Sequence, residues 1–165
     1  MAGSDTFSTY ITPTGLAAAD PNGICLTQTP GSASNLTING ALQSGGVATL
    51  VPARNVTITS GGSSETGKTF TITGTATDGT TVTEAIAGPG GSATVSTTAL
   101  FETVTQVAVD AATAGAVTVG SGTTVNQVVF AGRTRLRGIY IVNAGAAGDL
   151  DFKNGSSNGS TVMKL

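Results

Sequence analysis

The residues whose spacing matches a known chemical site run from Gly62 to Thr69, Gly-Ser-Ser-Glu-Thr-Gly-Lys-Thr, and fit the P-loop template at every specified position. In a P-loop the phosphates rest on the N-terminus of the helix that the motif opens. Here the next residues, Thr69-Phe-Thr-Ile-Thr73, alternate threonine with apolar side chains, which is typical of a strand. The sequence therefore predicts a loop between two strands, with nucleotide binding as the minor alternative.

The chain contains few other residues of the types that catalytic sites use. The chain has no histidine and one cysteine, which excludes histidine-based triads and metal centres. Cys25 stands between Ile24 and Leu26, and this setting predicts a buried or inert thiol. Asp149 and Asp151 share one face of a predicted strand, where cross-strand ion pairing is favoured over cation binding. We expect no catalytic residue, metal or cofactor, and predict that the protein is not an enzyme.

One polar cluster suggests a contact with a partner. Arg133, Arg135 and Arg137 project from the same face of a predicted strand and account for three of the seven cationic residues. Such a cluster fits the acidic rim of another subunit. A solvated edge strand, whose charges discourage unwanted pairing, is the slightly favoured alternative. Both interpretations stay open.

The elements that must position these residues are strands. β-branched and small aliphatic residues alternate with threonine along the chain, and Gly, Ser, Asn and Asp mark turns at the spacing of a β-sandwich. The pattern predicts an all-β, Ig-like antiparallel β-sandwich over residues 35–122. Candidate strands cover residues 36–42, 47–51, 55–60, 69–76, 80–87, 93–95, 101–109 and 116–120. Expected core residues are Val56, Ile58, Phe70 and Ile72, with Thr57, Thr71 and Thr73 facing outward.

Two local features of this domain can be predicted in detail. A three-residue loop of Thr77, Asp78 and a left-handed Gly79 sets Ile72 opposite Glu84, with better apolar matching than a two-residue Asp-Gly turn. The apolar spacing between residues 101 and 109 breaks parity once, which predicts a β-bulge at residues 103–105.

The segments on either side of this domain differ from it. Residues 1–34 contain prolines that interrupt a ladder and apolar residues that disfavour free solvation, so an extended arm on another surface is favoured over a disordered leader. Its expected partner-binding residues are Tyr10, Ile11, Leu16, Ile24 and Leu26. The strand-like pattern of residues 123–165 predicts the start of a second small β-module. That module is either a fragment of a longer polypeptide, which is favoured, or is completed by another chain.

Composition limits the partners. Charged residues make up 10% of the chain and the net charge is −2, whereas a free nucleic-acid binder normally carries a basic patch. No stretch approaches the length of a membrane-spanning helix. Neither free nucleic acid nor a membrane is therefore an expected partner. Aromatic residues make up only 4%, so the core is modest and neighbouring subunits are expected to add stability.

Several of these strand-rich runs together resemble structural proteins encoded by tailed bacteriophages. The runs are Asn35–Leu50, Phe70–Gly79, Phe101–Asp110 and Ala114–Gly120, and the segment Ile139–Phe152 is similar to a second β-module common in phage virions. The resemblance covers most of the chain after about residue 22. Its motifs are low-complexity Thr/Gly patterns, which indicate a class of virion component rather than a position in the particle.

The resemblance implies a non-enzymatic structural protein located in the virion and assembled in the host cytoplasm. A capsid decoration or cement protein is favoured, binding the major capsid protein or other virion subunits through the arm and the β-module. A homo-oligomer is expected, with a trimer favoured. The alternative is a tail, neck or fibre component. A glycan-binding β-sandwich is a third class, disfavoured because the chain has no tryptophan and only Tyr10 and Tyr140 as tyrosines.

Overall fold

The structure, a computed structural model, describes residues 18–126, 128, 151–155 and 158–164, and within these ranges it consists of strands and turns without a helix. The strands are β1 (Asp20–Gln28), β2 (Ser34–Asn35), β3 (Gln43–Ser44), β4 (Val47–Ser60), β5 (Thr69–Thr75), β6 (Thr81–Ala87), β7 (Thr94–Val109), β8 (Val117–Asn126), β9 (Asp151–Lys153) and β10 (Thr161–Lys164). The all-β prediction is confirmed.

The first eight strands form one antiparallel sheet in the order β1-β8-β4-β7-β5-β6. The short β2 and β3 pair with β7 and β4 respectively. One face of this sheet supplies a single core, to which β1, β4, β5, β7 and β8 all contribute. The fold is therefore an antiparallel, sandwich-like arrangement, as the strand pattern predicts.

Two long strands carry the sheet from one half of the fold to the other. β4 pairs with β8 only from Ala53 onward, whereas β7 pairs with β5 only from Thr103 onward. β4 has extra residues between Thr49 and Arg54, and β7 has extra residues between Ser96 and Leu100. Bulges of this kind bend a strand and let it pass from one layer to the next.

These bulges correct the predicted strand boundaries. Residues 47–51 and 55–60 are parts of one strand, because Pro52 lies in a bulge where its missing N–H costs no ladder bond. Residues 93–95 and 101–109 likewise belong to one strand, β7. The sequence pattern breaks where the strand bends, and the chain does not turn back there.

The core is made of small aliphatic side chains and two phenylalanines. Phe70 and Phe101 are fully buried. The predicted core residues Val56, Ile58, Phe70 and Ile72 are all 0% exposed, so their assignment to the inner face is confirmed.

The hairpin of β5 and β6 has the predicted register. Ile72 lies opposite Glu84 and Phe70 opposite Ile86. The loop is closed by a hydrogen bond from the Ala76 amide to the Thr80 carbonyl, and Gly79 has a left-handed φ of 78°. The three-residue loop is therefore confirmed.

The predicted bulge in β7 is also present. Thr73 pairs with Gln106 and Gly74 with Val104, which leaves Thr105 as the extra residue. At Gly74 a Cβ atom would collide with the carbonyl oxygen of Thr103, so a side chain there would disturb the strand pairing.

The predicted arm is partly wrong. Asp20–Gln28 forms β1, which pairs with β8 as an integral strand of the sheet. Pro21 sits in the irregular start of this strand and Pro30 follows its end, so neither proline interrupts the regular part of the ladder. The domain therefore begins at about Asp20 instead of residue 35.

Two smaller expectations also need correction. Residues 36–42 do not form a strand; they cover the outer edge of β1, with the Leu42 amide donating to the Gly23 carbonyl. Thr57 is buried at 8% exposure, although Thr71 and Thr73 are half-buried on the outer face. Thr57 pairs with Gly120, and the Asp20–Pro21 backbone passes directly against that glycine, so the start of β1 crowds this part of the sheet.

The C-terminal strands β9 and β10 form a separate two-stranded hairpin. It is joined to the sheet by Asn158, whose side-chain oxygen accepts from the Leu100 amide at 2.7 Å while its side-chain nitrogen donates to the Leu100 carbonyl at 3.1 Å.

Replacing Phe70 with alanine should lower the free energy of unfolding by ~3–5 kcal/mol, because a fully buried ring leaves a cavity. The neighbouring change Thr71→Ala is the matched control and should cost under ~1 kcal/mol. Urea denaturation of both variants provides the measurement. The reverse order of the two losses would mean that the faces of β5 are assigned backwards.

Candidate interaction surface

The P-loop look-alike is a structural loop held by a buried carboxylate. Glu65 is 0% exposed. Its two oxygens accept hydrogen bonds from the backbone amides of Ala114 and Gly115, each at 2.9 Å, and the Lys68 amine lies 2.8 Å from Oε2. The loop between β4 and β5 is thereby tied to the loop between β7 and β8.

The hydrogen bonds also set the charge state of Glu65. Burial alone would raise the pKa of this carboxyl, but the bonds from Lys68, Ala114 and Gly115 outweigh burial and hold the pKa below its ordinary value of 4.5. Glu65 is therefore ionised at neutral pH, and its charge is neutralised locally by Lys68.

This geometry does not fit phosphate binding. Strand β5 begins at Thr69, the last residue of the motif, so the motif opens a strand and not a helix. The lysine that a P-loop would direct at phosphate is paired with Glu65. The prediction of a loop between two strands is confirmed.

The remaining reactive groups are arranged for stability. Burial raises the pKa of the Cys25 thiol to about 12, and the side chain lies in the core, so the predicted burial of this cysteine is confirmed. Glu84 accepts hydrogen bonds from the Thr98 and Ala99 amides at 2.9 and 2.7 Å. These two amides lie in the β7 bulge between Ser96 and Leu100, where they have no strand partner. Within the described ranges, no group of three or more potential metal ligands comes together.

The residues predicted to bind a partner have separate outcomes. Ile24 is fully buried in this chain's own core and is not available to a partner, so that part of the prediction is wrong. Leu26 is 43% exposed on β1, and its role stays a prediction. Six further arm and cluster residues lie outside the described residues: Tyr10, Ile11, Leu16, Arg133, Arg135 and Arg137. Asp149 lies outside them as well.

A surface that site-by-site sequence reasoning did not identify is the outer face of the second half of the sheet, which we term the threonine face. It carries threonines from four neighbouring strands, aligned in rows across the sheet. One complete row consists of Thr81, Thr75, Thr103 and Thr49. The next row contains Thr83, Thr73 and Gln106.

The hydroxyl groups of the threonine face bond largely to one another. The Thr75 and Thr103 hydroxyls are 2.7 Å apart, and those of Thr73 and Thr83 are 3.3 Å apart. Gln106 donates to the Asn35 side chain at 2.7 Å. The face therefore presents methyl groups together with hydroxyls of which four are bonded to one another.

No charged residue stands in these rows. Glu84, the one acid on β6, turns to the opposite face of the strand and is bound to β7. A surface without charges loses little solvation when another protein covers it, and depletion of charge is what distinguishes the centre of a protein interface. The signal in the sequence was the run of threonines at alternate positions on adjacent strands.

Comparison with known proteins identifies no relative: no family model, curated protein or solved structure matches the chain. No helix in the described part of the chain is long and apolar enough to cross a membrane.

Replacing Glu65 with glutamine should lower the free energy of unfolding by roughly 2–4 kcal/mol at neutral pH, because one amide donor loses its acceptor and Lys68 loses its partner. The folded-state pKa is lowered, so the stabilisation is full above the ordinary value of 4.5 and is lost as the pH falls through the folded value. The difference in the free energy of unfolding between wild type and variant should therefore decrease as the pH falls. Urea denaturation at about pH 7 and about pH 3 measures this difference in the free energy of unfolding. The half-buried Glu102→Gln is the control variant. A gap that is constant with pH would contradict the assigned role of the charge.

Isothermal titration with ATP and Mg²⁺ should show no binding heat for wild type or for Lys68→Ala, since the lysine is already paired with Glu65. Saturable binding that is lost in the variant would restore the nucleotide interpretation.

Proposed function

We propose that this protein is a non-enzymatic structural component of a tailed-bacteriophage virion, and that it is a capsid decoration or cement protein. The observation that carries the proposal is the threonine face: a broad, charge-free sheet surface with satisfied hydroxyls suits the burial of protein against protein. The resemblance of the strand sequences to phage structural proteins supports the same class.

A decoration protein acts by covering junctions between shell subunits and resisting their separation. Such a role requires a rigid module and a surface that keeps its shape when it binds. Rigidity here is supported by Glu65, which fixes two loops, and by the continuous strands β4 and β7. The proposed partners are the major capsid protein or other virion subunits, and the proposed location is the assembled particle.

The alternative within the same class is a tail, neck or fibre component. Copy number separates the two. Hundreds of copies per particle would support the capsid position, while a dozen or fewer would support the tail or neck.

The contribution of the threonine face can be tested by rebinding to particles stripped of this protein. Thr73→Lys should weaken co-sedimentation by tenfold or more, roughly the effect of placing an unpaired charge in an interface. Thr66→Lys, on the exposed loop between β4 and β5, is the matched control and should bind as wild type does. Equal binding by both variants would contradict attachment through this face.

The arm requires a shorter truncation than the sequence alone suggested. Removing residues 1–34 would delete β1 and its buried Ile24, and the domain would unfold for that reason alone. Removing residues 1–17 keeps β1 intact. If the arm contributes to attachment, the shorter truncation should leave the thermal unfolding midpoint unchanged while particle binding falls sharply. Unchanged binding would assign attachment to the threonine face or to the cluster of Arg133, Arg135 and Arg137.

A further inference from the structure

Strand β6 differs from the other edge of the sheet in that no described residue covers it. The opposite edge, β1, is covered: Asn39 accepts from the Leu26 amide at 2.9 Å, and the Asn39 and Gly40 amides donate to the Ile24 carbonyl. In β7, the Thr98 and Ala99 amides donate to Glu84, and the Leu100 amide donates to Asn158. Along β6, no described residue outside the β5–β6 hairpin covers the backbone.

The register identifies which backbone groups project from this edge. The Ala76 amide donates to the Thr80 carbonyl and the Gly88 amide to the Lys68 carbonyl, so even-numbered residues of β6 bond inward to β5. The N–H and C=O groups of the odd-numbered residues therefore point outward. Those residues are Thr81, Thr83, Ala85 and Ala87.

This edge carries only one of the features that normally prevent strand pairing, the inward-pointing charge of Glu84. It has no lysine, no proline and no bulge, and it pairs with β5 without a register shift. Glu84 points to the inner side of the sheet, with both oxygens occupied by the Thr98 and Ala99 amides. An edge of seven residues whose one charged side chain is bound within its own chain is a template for strand addition.

We propose that β6 pairs antiparallel with β6 of a second copy of this chain, across a two-fold axis at Glu84. The sequence Thr-Val-Thr-Glu-Ala-Ile-Ala is self-complementary in this register. Thr83 then lies opposite Ala85 of the partner subunit, and Val82 lies opposite Ile86 of the partner subunit, which matches small with small and apolar with apolar. All four outward-pointing residues become paired, giving roughly eight backbone hydrogen bonds.

The two Glu84 side chains meet at the axis, but each carboxylate is directed at its own β7 amides, which offset its charge. Only a two-fold register that is centred on Glu84 pairs the full length of the strand. The resulting sheet runs continuously through both copies and joins their threonine faces side by side. The proposal does not depend on the virion assignment, and the two-fold symmetry differs from the trimer expected from the family resemblance.

Sedimentation of the full chain over a range of concentrations tests the pairing. Wild type should show a monomer–dimer equilibrium, and Ala85→Lys should raise its dissociation constant about tenfold or more, since lysine on an edge opposes pairing. Thr71→Lys is the matched control: it lies opposite Ala85 on the same face but one strand inward, and should dimerise as wild type does. Circular dichroism and thermal unfolding establish that both variants are folded. A wild type that stays monomeric, or equal weakening by both variants, would overturn the proposal.

Mixed cysteine crosslinking tests the register. In a hydrogen-bonded pair the Cα atoms are about 5.5 Å apart, within the range of a disulfide. Mild oxidation of a mixture of Thr83→Cys and Ala85→Cys proteins should therefore give a crosslinked dimer, whereas each variant alone should give little. Cys25 is buried in both and serves as a constant background. Crosslinking of a single variant as efficient as that of the mixture, or none in the mixture, would overturn the two-fold register.

Discussion

The arrangement of the loops depends on one buried carboxylate. Two successive amides, those of Ala114 and Gly115, point into a region shielded from water, and buried N–H groups without an acceptor are costly. Glu65 accepts both, and Lys68 neutralises the charge that this requires. The surrounding glycines permit the close approach: a Cβ at Gly88 would collide with the Glu65 carbonyl. The end of the sandwich is thus closed by a charge-assisted contact in a chain that has few charges.

The same solution recurs at other places where backbone groups lack strand partners. Glu84 accepts from two amides released by the β7 bulge. Asn158 bonds both polar groups of the Leu100 backbone, and the Gln28 side chain does the same for Thr37, at 2.8 and 2.7 Å. Long strands that bend must release ladder bonds, and side chains replace them. The scarce polar residues with carboxylate or amide groups are therefore used within the chain, while the outer surface is left to threonine.

The sequence predicted features that depend on local alternation and missed those that depend on distant contacts. The inner face of β5, the register to Glu84 and the bulge at Thr105 follow from period-two patterns, and all three are confirmed. β1 was assigned to an arm because its prolines look disruptive, and only the pairing with β8 shows that they flank the regular ladder. The hydrogen bonds of Glu65 to the Ala114 and Gly115 amides could not be predicted. These partners lie about fifty positions away in the sequence, and they are backbone groups, which every residue type except proline provides.

The pairing of β1 with β8 has a mechanical consequence. Asp20 lies opposite Ser121 in the middle of β8, so the chain enters β1 on the side toward which β8 runs to its end at Asn126, whereas the end held by Glu65 lies at the start of β8. A pulling force between the entering and leaving segments would load the hydrogen bonds between β1 and β8 one after another, starting at Asp20, and would not shear them all at once. The force needed to separate β1 from β8 would then be low, while the end of the domain held by Glu65 would carry none of the load. A domain built in this way withstands force best when it is applied across the sheet and not through its own chain ends.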